Sequence, residues 1–290
     1  MIPLQLPWMT ALGWALLHSL WQGLALALMA ALALHLLRGR DASLRSAVAY
    51  AALLLMAVAL CTTFLVLLPG TSASAGPGAP STGHPLEAWV PYASLAWISG
   101  VGVLGARLGL GWTWLQRLRR QGSVPAEAVW QARLQCLAEA MGIPRGVKLL
   151  RSTLVQSPMV VGWLKPVVLV PAAAFTGLPP LALEAILAHE LAHIRRLDYL
   201  FNLLQNLLET LLFYHPAAWW LGRQIRTERE NAADDLAVTL IGDPVGYARA
   251  LADLEALRSL SSTPLHLAPA ATGGRLMHRI RRILLPPTPP

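Results

Sequence analysis

His189-Glu190-Leu191-Ala192-His193 lies inside a helical run from Pro180 to Leu197. On an α-helix, positions i and i+4 sit about 40° apart around the axis, so both imidazoles can reach one ion while the carboxylate between them flanks it. Two neutral nitrogen ligands leave Zn²⁺ needing a third protein ligand and an open position for water. Glu190 is spaced to take that water's proton. The stretch therefore predicts a hydrolytic centre with one Zn²⁺ per chain, His189 and His193 as ligands and Glu190 as catalytic base. Leu183, Ile186, Leu187, Leu191 and Ile194 give the helix a buried side, and Arg195 and Arg196 suit its C-terminus. What remains to be found is the element that brings the third ligand.

Downstream, Tyr199 to Tyr214 reads as an amphipathic helix, His215-Pro216 as a break, and a new helix begins at Ala217. This new helix carries Glu228-Arg229-Glu230-Asn231-Ala232-Ala233-Asp234-Asp235. A charge run is ordinarily a solvated face. Here Glu230 and Asp234 are i and i+4 beside small alanines, which permit close helix approach. The 37 positions from His193 to Glu230 suffice for one helix out and one back. Glu230 is the candidate third ligand, and Asp234, one turn on, is placed to accept the second N–H of a ligand imidazole. His215 and Tyr214 are candidate donors to a transition state, set against the plainer role of hinge or anchor.

Composition sets the environment. Hydrophobic residues make up 55% and charged residues 13%, with a mean hydropathy of +0.51. Soluble domains carry about 25% charged residues. The expected fold is a mostly α membrane protein, with a membrane domain over 1–115 holding spans at about 8–37, 46–68 and 88–111. Polar His18, Ser19 and Gln22 in the first span point to hydrogen bonds between helices or to a wet cavity. Gly105 and Gly109, with Gly100 and Gly102, suggest close helix packing in the third. Arg38, Arg40 and Arg45 make the first loop basic, the Gly- and Pro-rich loop Pro69 to Pro85 has no Lys or Arg, and the segment after the third span is basic again. That asymmetry predicts an N-terminus outside and a metal domain facing the cytoplasm. The net charge of +8 is a topology signal beside apolar runs and gives no case for direct nucleic-acid binding. Cys61 and Cys136 lack the spacing of a thiolate site or a disulfide framework.

The metal domain is expected over 116–260. Pro125 to Met141 is periodic as a helix, and Val147 to Leu150, Met159 to Trp163 and Val167 to Val170 are β-prone, the last two forming a hairpin through Leu164-Lys165-Pro166. An extended substrate could pair with that hairpin's edge, or the hairpin could simply pack the metal helix. Residues 261–290 read as a linker, a basic amphipathic segment from Arg275 to Leu285 suited to a membrane surface, and a proline-rich tail. The stretch Ser259 to Gly274 is also a candidate self-cleavage site.

Leu187 to Asp198, Tyr214-His215-Pro216, Glu228 to Asp235, Val161-Gly162-Trp163-Leu164-Lys165-Pro166 and His18-Ser19-Leu20-Trp21-Gln22-Gly23 together resemble the integral-membrane zinc metallopeptidases of the BlaR/MecR antirepressor type. The resemblance implies a gluzincin-like α+β domain facing the cytoplasm of a bacterial inner membrane. It implies zinc on His189, His193 and Glu230, catalysis by Glu190 and an orienting Asp234. It also implies a protein substrate such as a transcriptional repressor. The position before Asp234, commonly Cys in that family, is Ala233. The chain ends at Pro290 without the family's penicillin-binding sensor domain, so antibiotic recognition is not carried over. The competing expectation is a membrane scaffold with a structural zinc site, for which Glu190 would be superfluous. A lipid or prenyl-chain hydrolase is a third, less favoured by the hairpin.

Overall fold

The computed structural model describes residues 6–68, 89–261 and 270–285, which fall into two units. The expected loop Pro69 to Pro85, most of the linker after 261 and the terminal prolines lie outside them.

The first unit contains residues up to Leu110 together with Leu204–Glu228. Helices α1 (Pro7–Leu36), α2 (Ala42–Leu67) and α3 (Val90–Arg120) form here because long runs of Leu, Ala and Val meet no internal proline strong enough to stop them. All three are long and apolar enough to cross a membrane. Ala15, Leu53 and Met56 are buried in the α1 and α2 contact, where small residues admit close approach. Gln22 and Thr63 bridge these helices with a reciprocal pair of hydrogen bonds at 3.2 and 3.3 Å, satisfying both side chains at membrane depth. The glycines of α3 depart from expectation: among the described residues a Cβ at Gly102, Gly105 or Gly109 would have no neighbour within 4 Å, and it is Gly100 that receives a side chain, Phe213.

Tyr214 and His215 also belong to this unit. Ser19 Oγ donates to Leu16 O at 2.6 Å, which leaves the Tyr214 hydroxyl to donate to Ser19 Oγ at 2.6 Å. His215 Nδ1 accepts from the Ala217 amide at 3.1 Å, so its proton is on Nε2, which meets the carbonyls of Leu20 and Ser19 at 3.2 and 3.3 Å. Both residues spend these polar atoms clamping the turn at residues 212–215 to α1, which is the hinge or anchor role weighed against transition-state donation. Gly23 is where the imidazole lands, and an added Cβ would overlap His215 Nε2 and lie 2.7 Å from Met56 Cε. Gly23→Ala is therefore expected to destabilise the helical unit by about 1–3 kcal/mol, the usual cost of overpacking. Thermal unfolding in detergent checks this, and an unchanged midpoint would refute it.

The second unit comprises Gly111–Leu203 and Arg229–Pro290. Its sheet has the order β1-β2-β4-β3. Strands β3 (Met159–Val161) and β4 (Val167–Pro171) form the expected antiparallel hairpin, Val160 opposite Val168. Strand β4 also pairs in parallel with β2 (Lys148–Ser152), and β2 pairs antiparallel with β1 (Ser123–Pro125), which sequence periodicity does not signal. Every residue of β4 is buried, as a continuous apolar run predicts for a central strand. Val168 and Val170 face the main core, while Val167 and Leu169 face a smaller cluster with Val155 and Val161.

Helix α6 (Pro180–Arg195) is the centre of the main core. Proline at its first turn costs no hydrogen bond there and presets the backbone. Leu183, Leu187 and Leu191 are fully buried, and α4 (Ala128–Ala140) and α9 (Pro244–Ser261) pack on it. The short α5 (Ala172–Gly177) joins β4 towards it. Helix α6 ends at Arg195, and Leu197 just beyond it has a φ of 58°, the left-handed conformation that branched or bulky residues avoid. That turn starts α7 (Asp198–Leu211) immediately. Helix α8 (Pro216–Ile241) and α10 (Ala270–Leu284) complete the list, α7 and α8 each dividing their residues between the two units. Leu276 and Ile283 of α10 pack against the main core, so the basic segment expected at a membrane surface is built into the domain instead.

Candidate metal centre

The i, i+4 spacing on α6 delivers what it predicts. His189 and His193 point the same way, with Nε2 atoms 3.2 Å apart. Glu230 arrives from α8 with carboxylate oxygens 3.6 Å from His189 Nε2 and 3.9 Å from His193 Nε2. The three ligating atoms lie within 4.8 Å of one another, a group that could hold a metal ion.

Each imidazole is oriented by hydrogen bonds at its Nδ1. His193 Nδ1 is 2.7 Å from the buried Asp198 Oδ2 and donates to it. The Leu197 turn is what returns Asp198 to the helix it has just left. His189 Nδ1 is 2.8 Å from Tyr247 Oη and 3.2 Å from Asp234 Oδ1, and the Tyr247 hydroxyl donates to Asp234 at 2.7 Å. Both rings are thereby oriented through Nδ1, and the two Nε2 atoms, 3.2 Å apart, turn towards one point that a metal ion would occupy on displacing the His189 proton. Nitrogens bound to one tetrahedral Zn²⁺ would be about 3.3 Å apart, so the donor set fits zinc.

Electrostatics agree with the geometry. Burial works against a charged His189, yet hydrogen bonds and charge from Asp234 and Glu230 more than offset it and raise its pKa to about 10. Glu230 is opposed by burial but held down to about 2 by His189, His193 and Arg279, and Asp234 is likewise held well below the carboxylate range by His189 and Arg279. Burial raises Glu190, with the two histidines pulling the other way. In metal-free protein the His189 contribution to stability is complete below about pH 6.5 and lost as pH rises through about 10. The Glu230 contribution is complete above about 4.5 and lost as pH falls through about 2. A metal must displace the His189 proton, so zinc affinity is expected to rise about tenfold per pH unit between about pH 6 and 8. Chelator competition across that range measures it, and a flat profile would show that no proton is exchanged.

The centre opens into a cavity of about 390 Å³ lined only by residues of the second unit. Its lining includes His189, Glu190 and His193 of α6, Met159 and Val160 of the edge strand β3, and Leu251, Leu254 and Arg279. Glu190 is 7% exposed, enough to reach a molecule in the cavity.

The sequence profile described as BlaR1 peptidase M56 matches residues 9–283. The chain belongs to the BlaR1 peptidase M56 family. Similarity extends to "Regulatory protein BlaR1" of Bacillus licheniformis, at 32% identity over 88 residues. Those residues are 30% of this chain and cover 14% of that protein, so the likeness concerns a small part of the relative.

The family is one of peptidases, and among the described residues the chain carries three membrane-length helices and a His-His-Glu group that could hold a metal ion. The acidic run on α8 of this BlaR1 peptidase M56 chain is not a solvated face. Within the first unit Glu228 pairs with Arg45 at 2.6 Å, and within the second Asp235 pairs with Arg282 at 2.7 Å. Asp198, Tyr247 and Arg279 are the site residues that sequence reasoning missed or could not place. Asp198 had a signal, since it follows the metal helix directly. Tyr247 and Arg279 had none, being 58 and 90 positions from His189.

Proposed function

We propose that this chain is a membrane-embedded zinc metalloendopeptidase that cleaves a cytoplasmic or membrane-proximal protein in regulatory proteolysis. The observation that carries the proposal is the convergence of His189 Nε2, His193 Nε2 and the Glu230 carboxylate beside the buried Glu190. In it His189, His193 and Glu230 hold one Zn²⁺. When bound, the ion supplies Lewis acidity, lowering the pKa of a coordinated water to about 7 and polarising a carbonyl.

The protein's own residues do the rest. Glu190, raised by burial towards the range where a carboxylate both accepts and returns a proton, takes one from the attacking water and delivers it to the leaving amine. Asp198 holds His193 in its tautomer, and Tyr247 with Asp234 does so for His189. Strand β3, last in the sheet order, offers its free edge along the cavity, and an extended peptide adding to that edge would lie across the metal helix. A folded repressor would need a locally unfolded segment to enter.

The basic first loop supports a cytoplasmic face for the metal domain and an N-terminus outside. In the family's bacterial setting this is the inner membrane, with a transcriptional repressor as the substrate class. Profiling of protein N-termini in cells making either the wild type or Glu190→Gln at equal levels tests the proposal. New N-termini confined to the wild type are expected and would name the substrate. Identical profiles from two zinc-loaded proteins would favour the scaffold reading instead.

A further inference from the structure

Asp234 is completely buried, and three groups compete for its two oxygens. Oδ1 accepts from Tyr247 Oη at 2.7 Å and from Arg279 Nη2 at 2.6 Å, and lies 3.2 Å from His189 Nδ1. Oδ2 accepts from Arg279 Nε at 2.9 Å. The remaining guanidinium nitrogen of Arg279, Nη1, stands 3.5 Å from Glu230 Oε2. One arginine thus holds the carboxylate that orients the first imidazole and touches the carboxylate that completes the ligand set. It comes from α10, the most distant described helix in the chain, and from a segment whose composition suggests a lipid surface.

We propose that Arg279 is a positioning residue of the zinc centre. Its planar fork fixes both oxygens of Asp234, which keeps the Tyr247 hydroxyl and the His189 Nδ1 proton in line and turns His189 Nε2 to the metal. The inference rests on the zinc reading above. Without Arg279, Asp234 Oδ2 loses its hydrogen bond and the carboxylate is held through Oδ1 alone, so its plane, and with it the Tyr247 hydroxyl and the imidazole, is less tightly fixed. A lysine supplies charge but one nitrogen, and cannot hold two oxygens in one plane. Helix α10 becomes part of the peptidase centre rather than an appendage, and its docking sets metal retention.

A plain clamp between α10 and α8 would produce some of the same losses, and the structure supplies the control. Arg282, three residues on, binds Asp235 Oδ1 and the Asn231 carbonyl, both at 2.7 Å, and its partners among the described residues include neither Asp234 nor a candidate ligand. It holds α10 to α8 without touching the metal centre.

The test uses the full chain in detergent, with zinc affinity from chelator competition and the visible absorption of the Co²⁺-loaded protein as a report on ligand geometry. Arg279→Ala is expected to weaken zinc about 10–100-fold, the usual effect of losing an outer-shell partner, and to alter the Co²⁺ bands. Arg279→Lys is expected to fall between Ala and wild type. Arg282→Ala is expected to leave the affinity within about threefold and the Co²⁺ spectrum unchanged. Wild-type affinity and spectrum in Arg279→Ala would overturn the proposal, as would an equal loss in Arg282→Ala, which would mean that docking of α10 is all that matters. Should Arg279→Ala fail to fold, Arg279→Lys decides alone, and a wild-type spectrum with wild-type affinity sinks the idea. If the wild type itself does not take up zinc, or His189→Ala binds it equally well, the zinc reading fails and this inference with it, a result distinct from the others.

Discussion

Glu190→Gln is expected to lower kcat/KM for peptide hydrolysis by about 10²–10⁴-fold while zinc remains bound at one per chain. That loss corresponds to about 3–5 kcal/mol of transition-state stabilisation, far more than any change in packing from an isosteric replacement. Glutamine keeps the volume and one oxygen of the native side chain, but it has no lone pair basic enough to take a proton from water. The metal-binding atoms of His189, His193 and Glu230 do not depend on it, because each imidazole is oriented by Asp198 or by Tyr247 and Asp234. Kinetics on a purified substrate, paired with metal analysis of the same samples, separates chemistry from metal loss. Activity within a few-fold of wild type would remove Glu190 from the mechanism.

His189→Ala is expected to abolish both stoichiometric zinc and hydrolysis. Three protein ligands leave a metal site open for water, but two exposed to solvent exchange do not retain Zn²⁺ against a moderate chelator. The substitution also strips the buried Asp234 of its imidazole partner, at a cost of about 1–3 kcal/mol, although Arg279 and Tyr247 still engage it. The metal-free variant is therefore expected to stay folded and inactive, with no gain in thermal midpoint when zinc is added. A zinc-induced rise equal to that of the wild type would place the ion elsewhere.

The features legible in the chain are those carried by short-range periodicity. Two histidines four apart had to share a face of α6, Glu230 and Asp234 had to share a face of α8, and the intervening chain had the length for an outward and a return helix. Long uninterrupted apolar runs marked three membrane-length helices, and the Met159–Val161 and Val167–Pro171 runs marked the hairpin. Orientation of the first imidazole by Asp234 followed from the same helical arithmetic, since it needed only one turn beyond the ligand.

Other assignments depended on which surfaces meet. Tyr214 and His215, one helix beyond the metal helix in sequence, looked available for chemistry, but Ser19, Leu20 and the bare backbone of Gly23 engage them within the helical unit. The glycines of α3 looked like a packing motif and, apart from Gly100, meet no neighbour among the described residues. The basic stripe of α10 looked like a lipid-facing segment, yet Arg279 and Arg282 turn inward to Asp234 and Asp235. What the sequence by itself determined was which residues share a helix face and which neighbouring runs form the β3–β4 hairpin, because backbone hydrogen bonding enforces those repeats locally. The tertiary structure alone decided the partners of Asp234, the use of the Tyr214–His215 turn and the parallel pairing of β2 with β4. Those outcomes depend on long-range burial and on satisfying buried charge, and a single arginine or tyrosine far along the chain carries no local mark of where it will be needed.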